Sequence, residues 1–356
     1  MRTSHAYARL GIAPDLRLRL AGAAVRVAES LRSAKIAELG LSSYAVRYLR
    51  DHLAILPFSM QSTVAILGWA IGGHDIRTSD GCLVDYGGGI GLISLVAAAA
   101  GVPVTYADLR EGSARDARLL AEAIGLPAKV YLVGDLPQII AGLRANGLRP
   151  LAFTSYDVVE HIYDVPAHIS ALTAADLAPQ RVVYASSANA RNPRIRRKLT
   201  ALHQQAETVG SEDEAAYVLQ RRTQIDAMLP GLPEAGRLAL AVCTRGLAGD
   251  DLAAAIDAVG RGDVPPTPRH PSNTCDPRTG NWCEQLLDQD ELVARFNDAG
   301  WHCVIRPGYY GESGGLVTQL AKHGLNAAIS VLGTGGLALA PYFAVIADRP
   351  TADGRP

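Results

Sequence analysis

The sequence predicts an α/β fold: a doubly wound, mostly parallel sheet of seven strands, with N-terminal helices and a helical insertion. From Gly81 onward, short apolar runs alternate with helical stretches, which is typical of a parallel sheet covered on both faces. Each of the first five runs ends in polar residues or glycine. Because ligands bind at the carboxyl edge of such a sheet, these residues predict a binding rim.

Seven apolar runs account for the predicted strands. They lie at 82–85, 102–106, 129–133, 151–156, 181–185, 301–306 and 342–348. The helix after the second strand is expected to begin near Ser113, with Asp116 completing its N-terminal cap, and to end before Gly125.

The chain divides into four predicted regions. Its 356 residues, 48% of them hydrophobic, are enough to bury a full core. Residues 1–78 are expected to be helical and to act as a lid or a dimerisation surface. Residues 79–190 are the predicted Rossmann-like ligand-binding core, and residues 272–356 are its C-terminal part. The helical stretch at 191–271 is too long for a plain connection, so it is predicted to be an insertion that forms a substrate lid.

Charge and cysteine content limit the expected partners. The formal net charge of -1 provides no field that would attract a phosphate backbone, so no nucleic acid is expected. Five cysteines are too few for a disulfide scaffold and their number is odd, which indicates reduced thiols. The N-terminus has no uninterrupted apolar stretch of the kind a secretion signal needs. A cytoplasmic protein is expected.

One uncharged segment, at 324–347, is long enough to cross a bilayer. Glycines and Pro341 interrupt it, so it is predicted to be a helix, a turn and a strand, with no membrane partner. Helices outside an α/β core often pair subunits, and a homodimer is therefore one expected state.

A glycine-rich turn follows the first predicted strand, with the sequence Asp85-Tyr86-Gly87-Gly88-Gly89-Ile90-Gly91. Glycines let backbone amides approach a ligand at the amino end of the next helix. A dinucleotide site would need a glycine where Leu92 stands, and Asp85 would repel a pyrophosphate. The turn instead suits a ligand that carries an amino group.

Two further carboxylates end the next strands. Asp108, 23 residues after Asp85, is placed to accept hydrogen bonds from ribose hydroxyls. Asp135 can accept one from an adenine amino group. The three carboxylates together describe an adenosine joined to an amino acid rather than to phosphates.

Four segments in this order, VDYGGGIG, ADL, VGDL and YDVVEHIYD, resemble the class I methyltransferases that use S-adenosyl-L-methionine (SAM), especially their small-molecule branch. The resemblance covers residues 80–190 and 288–348. It implies SAM as the cofactor, with its methionine part on Gly87, Gly89 and Gly91, its ribose on Asp108 and its adenine on Asp135 and Leu136. The other expected cofactor contacts are Tyr86, Gly88, Leu109, Gly134 and Tyr156, together with Asp85.

The resemblance implies transfer of a methyl group to an oxygen or nitrogen of a small-molecule metabolite. In-line displacement at a sulfonium needs alignment and exclusion of water, and a general base helps if the acceptor is a hydroxyl or a protonated amine. Asp157 is expected to border the reaction chamber, and His161 is the first candidate base. In the alternative, the pair Glu160-His161 only shapes the pocket.

Substrate recognition is expected from a polar and aromatic segment at 270–287 and from two tyrosines near the rim. The candidates, beside Glu160, are His270, Asn273, Trp282, Tyr309 and Tyr310. Aromatic faces could also contact a sulfonium. Alternatively, 270–287 is a surface loop that satisfies its own backbone.

Other functions remain open at the level of sequence. A zinc site of His270, Cys275 and Cys283 lacks a closely spaced ligand pair, so no metal is expected. The basic run from Arg191 to Lys198 could contact a substrate, but it also fits a solvated helix face.

A SAM-consuming enzyme that breaks another carbon–sulfur bond, by intramolecular cyclisation or aminopropyl transfer with release of methylthioadenosine, would carry the same motifs. So would a non-catalytic SAM-binding subunit.

Overall fold

A computed structural model describes residues 10–72, 81–211, 214–265, 267–268, 270–311 and 313–350. The chain forms two compact units. The first comprises Met1–Val158, Pro166–Ser187 and Gln289–Pro356, and the second comprises Val159–Val165 and Ala188–Asp288. The four regions expected from the sequence, with their roles as lid or dimerisation surface, stay predictions.

The first unit contains one seven-stranded sheet. Its strands are β1 (Gly81–Tyr86), β2 (Val104–Asp108), β3 (Val130–Val133), β4 (Arg149–Tyr156), β5 (Arg181–Ser186), β6 (His302–Pro307) and β7 (Phe343–Asp348). They lie in the order β3-β2-β1-β4-β5-β7-β6, and β7 is antiparallel to both of its neighbours while the other pairs are parallel. The predicted doubly wound, mostly parallel α/β sheet is confirmed.

The strands form where the apolar runs were predicted, because both faces of the central strands are covered. In β1, every residue from Gly81 to Asp85 is buried. The largest shifts are of two residues: β2 begins at Val104 rather than at residue 102, and β4 begins at Arg149 rather than at residue 151. Pro103 lacks an N–H, but its carbonyl accepts a hydrogen bond from Leu83 of β1.

The N-terminal region supplies two long helices, α1 (Pro14–Ser33) and α2 (Ser43–Ile71), and α2 packs against β4, β5 and β7. Within the described residues, α2 is long and apolar enough to cross a membrane, with a mean hydropathy of 1.5 in its most apolar window. That window is 78% buried inside the protein, as in a core helix.

The other helices of this unit flank the sheet. They are α3 (Leu92–Ala99), α4 (Glu111–Ala123), α5 (Leu136–Ala145), α6 (Val165–Ala174, whose first residue belongs to the second unit), α11 (Gln289–Asp298) and α12 (Leu316–Leu332). The expected start of α4 near Ser113 is wrong, since the helix begins at Glu111. Asp116 does not cap it: its carboxylate accepts hydrogen bonds from the backbone N–H (3.1 Å) and hydroxyl (2.5 Å) of Ser42, at the start of α2.

The uncharged segment at 324–347 is a helix, a turn and a strand, as predicted. It contains the end of α12, a short 3-10 helix at Gly333–Ala338 and most of β7. Several apolar residues of α12 are exposed to solvent, namely Leu316, Val317, Leu320, Val331 and Leu332.

The second unit is helical and has its own small core. Its helices are α7 (Pro193–Thr208), α8 (Tyr217–Met228), α9 (Glu234–Cys243) and α10 (Gly249–Gly260). Ile225, Leu240 and Ile256 pack together in this core. Beside it, fully buried Arg221 pairs with Glu207, whose second carboxylate oxygen accepts a hydrogen bond from Thr274 at 2.6 Å.

Candidate functional site

The glycine turn joins β1 to α3, and its shape requires glycine. Gly87 and Gly89 have φ angles of 68° and 54°, in the left-handed region that other residues rarely adopt. A Cβ on Gly87 would lie 2.5 Å from Val158, whereas one on Gly89 would meet nothing within 4 Å. The turn therefore leaves open space at Gly89.

The glycine N–H groups of this turn are already used within the protein. Gly87 and Gly88 both donate to the carbonyl of Ala107, at 2.8 and 3.0 Å, and Gly91 donates to Gly88 at 2.7 Å. The N–H of Gly89 donates to Oδ2 of Asp108 at 3.0 Å. A phosphate cradle needs such donors to point at its ligand, so this turn is poorly suited to a pyrophosphate.

Asp85 lies beneath the turn rather than on its surface, with 1% of its area exposed. Its Oδ2 accepts hydrogen bonds from the backbone N–H (3.0 Å) and the hydroxyl (2.7 Å) of Ser94, in the first turn of α3. Burial raises the pKa of this carboxyl to about 6, against the opposing effect of Ser94. Asp85 therefore anchors the amino end of α3, and its expected contact with a ligand amino group stays a prediction.

Asp108 and Tyr106 support the turn from the end of β2. The hydroxyl of Tyr106 donates to the carbonyl of Gly89 at 2.6 Å, and Oδ1 of Asp108 accepts from the N–H of Arg110 at 2.9 Å. Burial raises the pKa of Tyr106 well above its usual range, so its phenol stays a donor. Sequence reasoning missed Tyr106. The available signal was a tyrosine two residues before Asp108, on the same face of the strand.

The remaining expected cofactor residues lie along the same end of the sheet. Asp135 is exposed and caps α5 through a reciprocal pair of hydrogen bonds with Gln138. Gly134, just before it, donates its N–H to the carbonyl of Asp108. Leu109 is 70% exposed, whereas Leu136 is buried. One oxygen of Asp135 is thus committed to a helix cap.

Two tyrosines follow at the ends of β1 and β4. Tyr86 is half-buried with its ring centroid 5.4 Å from that of His168, and burial raises its pKa to about 12. Tyr156 makes an edge-on contact with Tyr342, at 5.7 Å between ring centroids. Both side chains are partly exposed at the rim.

Asp157 has a strained backbone. Its φ angle is 56°, one of two positive φ values among the described non-glycine residues. Its N–H donates to Ala185, and its Oδ1 accepts from the N–H of Ser187 at 2.7 Å, so the end of β5 holds it in place. Such strain persists only where surrounding bonds maintain it, and it concentrates at functional sites.

His52 on α2 is a second group in this region that sequence reasoning missed. Its Nδ1 lies 3.0 Å from the carbonyl of Tyr48, and the two rings stack with centroids 3.8 Å apart. A carbonyl can only accept, so Nδ1 carries the proton and Nε2 keeps its lone pair in the neutral ring. Burial lowers the pKa of His52, opposed by the Tyr48 carbonyl and by the charges of Asp157 and Asp51. No local pattern in α2 marks this histidine.

Glu160 and His161 belong to the second unit, where both contact the segment at 282–285. Nδ1 of His161 lies 2.8 Å from the carbonyl of Trp282, and its Nε2 lies 3.8 Å from a carboxylate oxygen of Glu284. Glu160 is fully buried, and its carbonyl accepts from the N–H of Gln285 at 3.2 Å. The ring orientation of His161 is thus set by backbone, and its role as base stays a prediction.

The segment at 270–287 satisfies much of its own backbone. Asn273 exchanges two hydrogen bonds with the backbone of Leu286, at 2.9 and 3.1 Å. Trp282 is buried and donates its indole N–H to Tyr163 at 3.0 Å. Nδ1 of His270 accepts from the N–H groups of Ser272 and Asn273, so its proton is on Nε2. Of these three candidates, His270 alone has a side-chain polar atom, Nε2, that forms no hydrogen bond within the described residues.

Tyr309 and Tyr310 follow β6. The hydroxyl of Tyr310 donates to Leu339 at 2.9 Å, and its backbone exchanges hydrogen bonds with the side chain of Asn326. Tyr309 is 8% exposed and lines a pocket whose walls include no residue of the glycine turn. Their role in substrate binding stays a prediction.

Cysteines and basic residues complete the set of candidates. None of the five cysteines forms a disulfide, and burial raises the pKa of Cys275 to about 12 and that of Cys283 to about 11. In the described part of the chain, no group of three or more His, Cys, Asp or Glu side chains could hold a metal ion. Most of the basic run lies exposed on α7: Arg194, Arg196, Arg197 and Lys198.

The fold and the glycine turn together define the structural class of this protein. The strand order, the antiparallel β7 and the glycine turn after β1 are those of the class I methyltransferase fold. No family model matches the chain, and no curated protein matches it. Among solved structures, it is similar to the plantazolicin methyltransferase BpumL in complex with SAH, at 11% identity and a TM-score of 0.37, over 94% of this chain and 99% of that one. A likeness this distant carries no argument about function.

Proposed function

We propose that this protein is a SAM-dependent methyltransferase that transfers a methyl group to an oxygen or nitrogen of a small molecule. The observation that carries the proposal is the open space at Gly89, bordered by the carboxylate of Asp108, in a turn whose glycine N–H groups are occupied. Such a turn favours a nucleoside joined to a cationic amino acid over a nucleoside that carries phosphates.

The residues present fit SAM. Gly89 leaves room where any side chain would intrude, and Asp108 offers carboxylate oxygens at the end of β2, where a ribose is expected. Asp135 and Leu136 would border the adenine. Bound SAM would supply a methyl group on a sulfonium, from which the neutral thioether S-adenosylhomocysteine is a good leaving group.

The chain's own task is then to align the acceptor, exclude water and take up a proton. Asp157, held in its strained conformation by β5, is the candidate for orienting the acceptor. Nε2 of His52 can accept a proton, because Nδ1 is fixed on the Tyr48 carbonyl. His161 has the same tautomer, set by the Trp282 carbonyl, and is the second candidate.

Two measurements on the full chain test the proposal. Isothermal titration calorimetry with S-adenosylhomocysteine should show binding to the wild type, and no binding would remove the cofactor assignment. Incubation with SAM and a panel of small phenols, amines and carboxylates should give S-adenosylhomocysteine only when an acceptor is present. Methylthioadenosine formed from SAM alone would instead support cleavage of another carbon–sulfur bond. Binding without turnover of any kind would favour a SAM-binding subunit.

A further inference from the structure

The first unit contains a pocket with a volume of about 360 Å³ beside the edge strand β6. Its walls come from β6, from the end of α12 with the following 3-10 helix, and from Leu10 and Trp69. This volume lies within the range of about 300 to 1,000 Å³ that small-molecule pockets occupy.

The walls are mainly hydrocarbon. Val304 is 37% exposed, Ile305 and Pro307 are half-buried, and Trp69 is 6% exposed. The indole N–H of Trp69 donates to the carbonyl of Leu10 at 3.0 Å, so its single polar atom is already satisfied. The surface that the indole, Val304 and Ile305 offer a ligand is therefore apolar, which favours a ligand with a hydrocarbon body.

Arg306 is the single charged residue in the lining of this pocket. Within the described ranges of the chain, its guanidinium makes no ion pair and no hydrogen bond. It lies against Gly11, where a Cβ would be 3.6 Å from Nη1. A guanidinium with donors to spare beside apolar walls is complementary to a carboxylate, which it can bind through two parallel hydrogen bonds.

Apolar surface continues beyond the pocket at the end of α12. Val331 and Leu332 lie in the chain between the lining residues Ser330 and Gly333, and they are 87% and 54% exposed. Exposed large apolar residues next to a pocket give a longer hydrocarbon chain further contact. The same region thus offers one cationic group and an extended apolar surface.

We propose that this pocket binds an amphipathic monocarboxylate, with the carboxylate on Arg306 and the hydrocarbon chain against Trp69 and Val304. The site is independent of the proposed methyl transfer, because no residue of the glycine turn lines it. The ligand class follows from the lining: one cation, no acidic residue and apolar walls.

Calorimetric titration of the full chain with sodium octanoate tests this site, with sodium acetate and 1-octanol as comparison ligands. Octanoate should bind with a Kd below about 1 mM, and acetate much more weakly. Arg306→Gln should weaken octanoate binding by about 10- to 100-fold, from the loss of charge-assisted hydrogen bonds, and should leave octanol binding unchanged. The matched control is Arg295→Gln, which removes an exposed arginine that pairs with Glu291 on α11 and should change neither affinity.

A second variant tests the location of the hydrocarbon chain. Thr334 is an exposed lining residue, so Thr334→Trp should fill the pocket without disturbing the core and abolish binding of both octanoate and octanol. Thermal melting and S-adenosylhomocysteine titration of each variant report on folding separately. The proposal is overturned if octanoate does not bind, if Arg306→Gln binds it as tightly as the wild type, if acetate binds equally well, or if Thr334→Trp has no effect.

Discussion

The backbone N–H of Gly89 donates a 3.0 Å hydrogen bond to Oδ2 of Asp108. This bond ties the turn after β1 to the end of β2, and the hydroxyl of Tyr106 reinforces it on the carbonyl side of the same glycine. One carboxylate thus both shapes the proposed cofactor site and, by the resemblance to methyltransferases, is expected to bind the ribose.

Asp108→Ala should weaken binding of S-adenosylhomocysteine by about 1 to 3 kcal/mol, because the ribose acceptor and the anchor of Gly89 are lost together. Calorimetry measures the change. Asp108→Asn keeps one oxygen acceptor and should cost less. Equal affinity of wild type and Asp108→Ala would take Asp108 out of the site.

Tyr106→Phe should lower the free energy of unfolding by about 1 kcal/mol, since the partly buried carbonyl of Gly89 loses its donor, and should also weaken S-adenosylhomocysteine binding. Urea unfolding and calorimetry measure the two effects. Tyr131→Phe is the matched control, because its hydroxyl accepts from the N–H of Ala128, away from the turn. A similar loss of ligand affinity in both variants would contradict a specific role for Tyr106.

Asp85 should make stability depend on pH between about 4 and 6. Its pKa is raised from 3.8 to about 6 in the folded protein, so in this range the native state keeps a proton that the unfolded state has released. The free energy of unfolding should therefore fall as pH rises through this range, by at most about 3 kcal/mol from this group, and then level off.

Urea unfolding of wild type and Asp85→Asn across pH 4 to 7 isolates the contribution of Asp85 to the pH dependence of stability. This contribution is expected between about pH 4 and about pH 6. The variant keeps an oxygen acceptor for Ser94 and should lack this component of the slope. Ser94→Ala removes the hydroxyl hydrogen bond, one of the two that lower the pKa of Asp85, and keeps the one from the backbone N–H, so it should extend the slope to higher pH. Parallel curves for wild type and Asp85→Asn would rule out this titration.

His52 should titrate below the usual histidine range, and Asp157→Asn should lower its pKa further. Burial lowers this pKa, while the negative charge of Asp157 raises it. An NMR titration of the His52 ring measures both shifts, and its nitrogen chemical shifts report whether the proton is on Nδ1. Asp51→Asn is the comparison and should have the smaller effect. An unchanged pKa in Asp157→Asn would separate His52 from Asp157 and weaken its assignment as a base.

Glu207→Gln should destabilise the second unit by about 3 to 5 kcal/mol, because it leaves the guanidinium of fully buried Arg221 uncompensated. Urea unfolding measures the change. Glu234→Gln is the matched control: it breaks the exposed pair with Arg222 and should cost less than about 1 kcal/mol. Equal costs would show that the buried pair contributes no more than a surface one.

Local features of the sequence were enough to predict the sheet and the glycine turn. Apolar runs mark buried parallel strands wherever they occur, and glycines with positive φ mark the turn, because both effects act within a few residues. Contacts between distant segments were predicted poorly. Asp116 carries the pattern of a helix cap, yet it binds Ser42 at the start of α2.

The sequence by itself determined the seven-stranded α/β fold, the position of the turn and the acidic residues at the strand ends. Tertiary structure alone decided that Tyr106 and Asp108 hold Gly89, that Asp85 is buried under α3, and that His52 comes within reach of the charge of Asp157. The physical reason is that burial and electrostatic contact depend on how helices such as α2 pack on the sheet. No local spacing of residues encodes that packing.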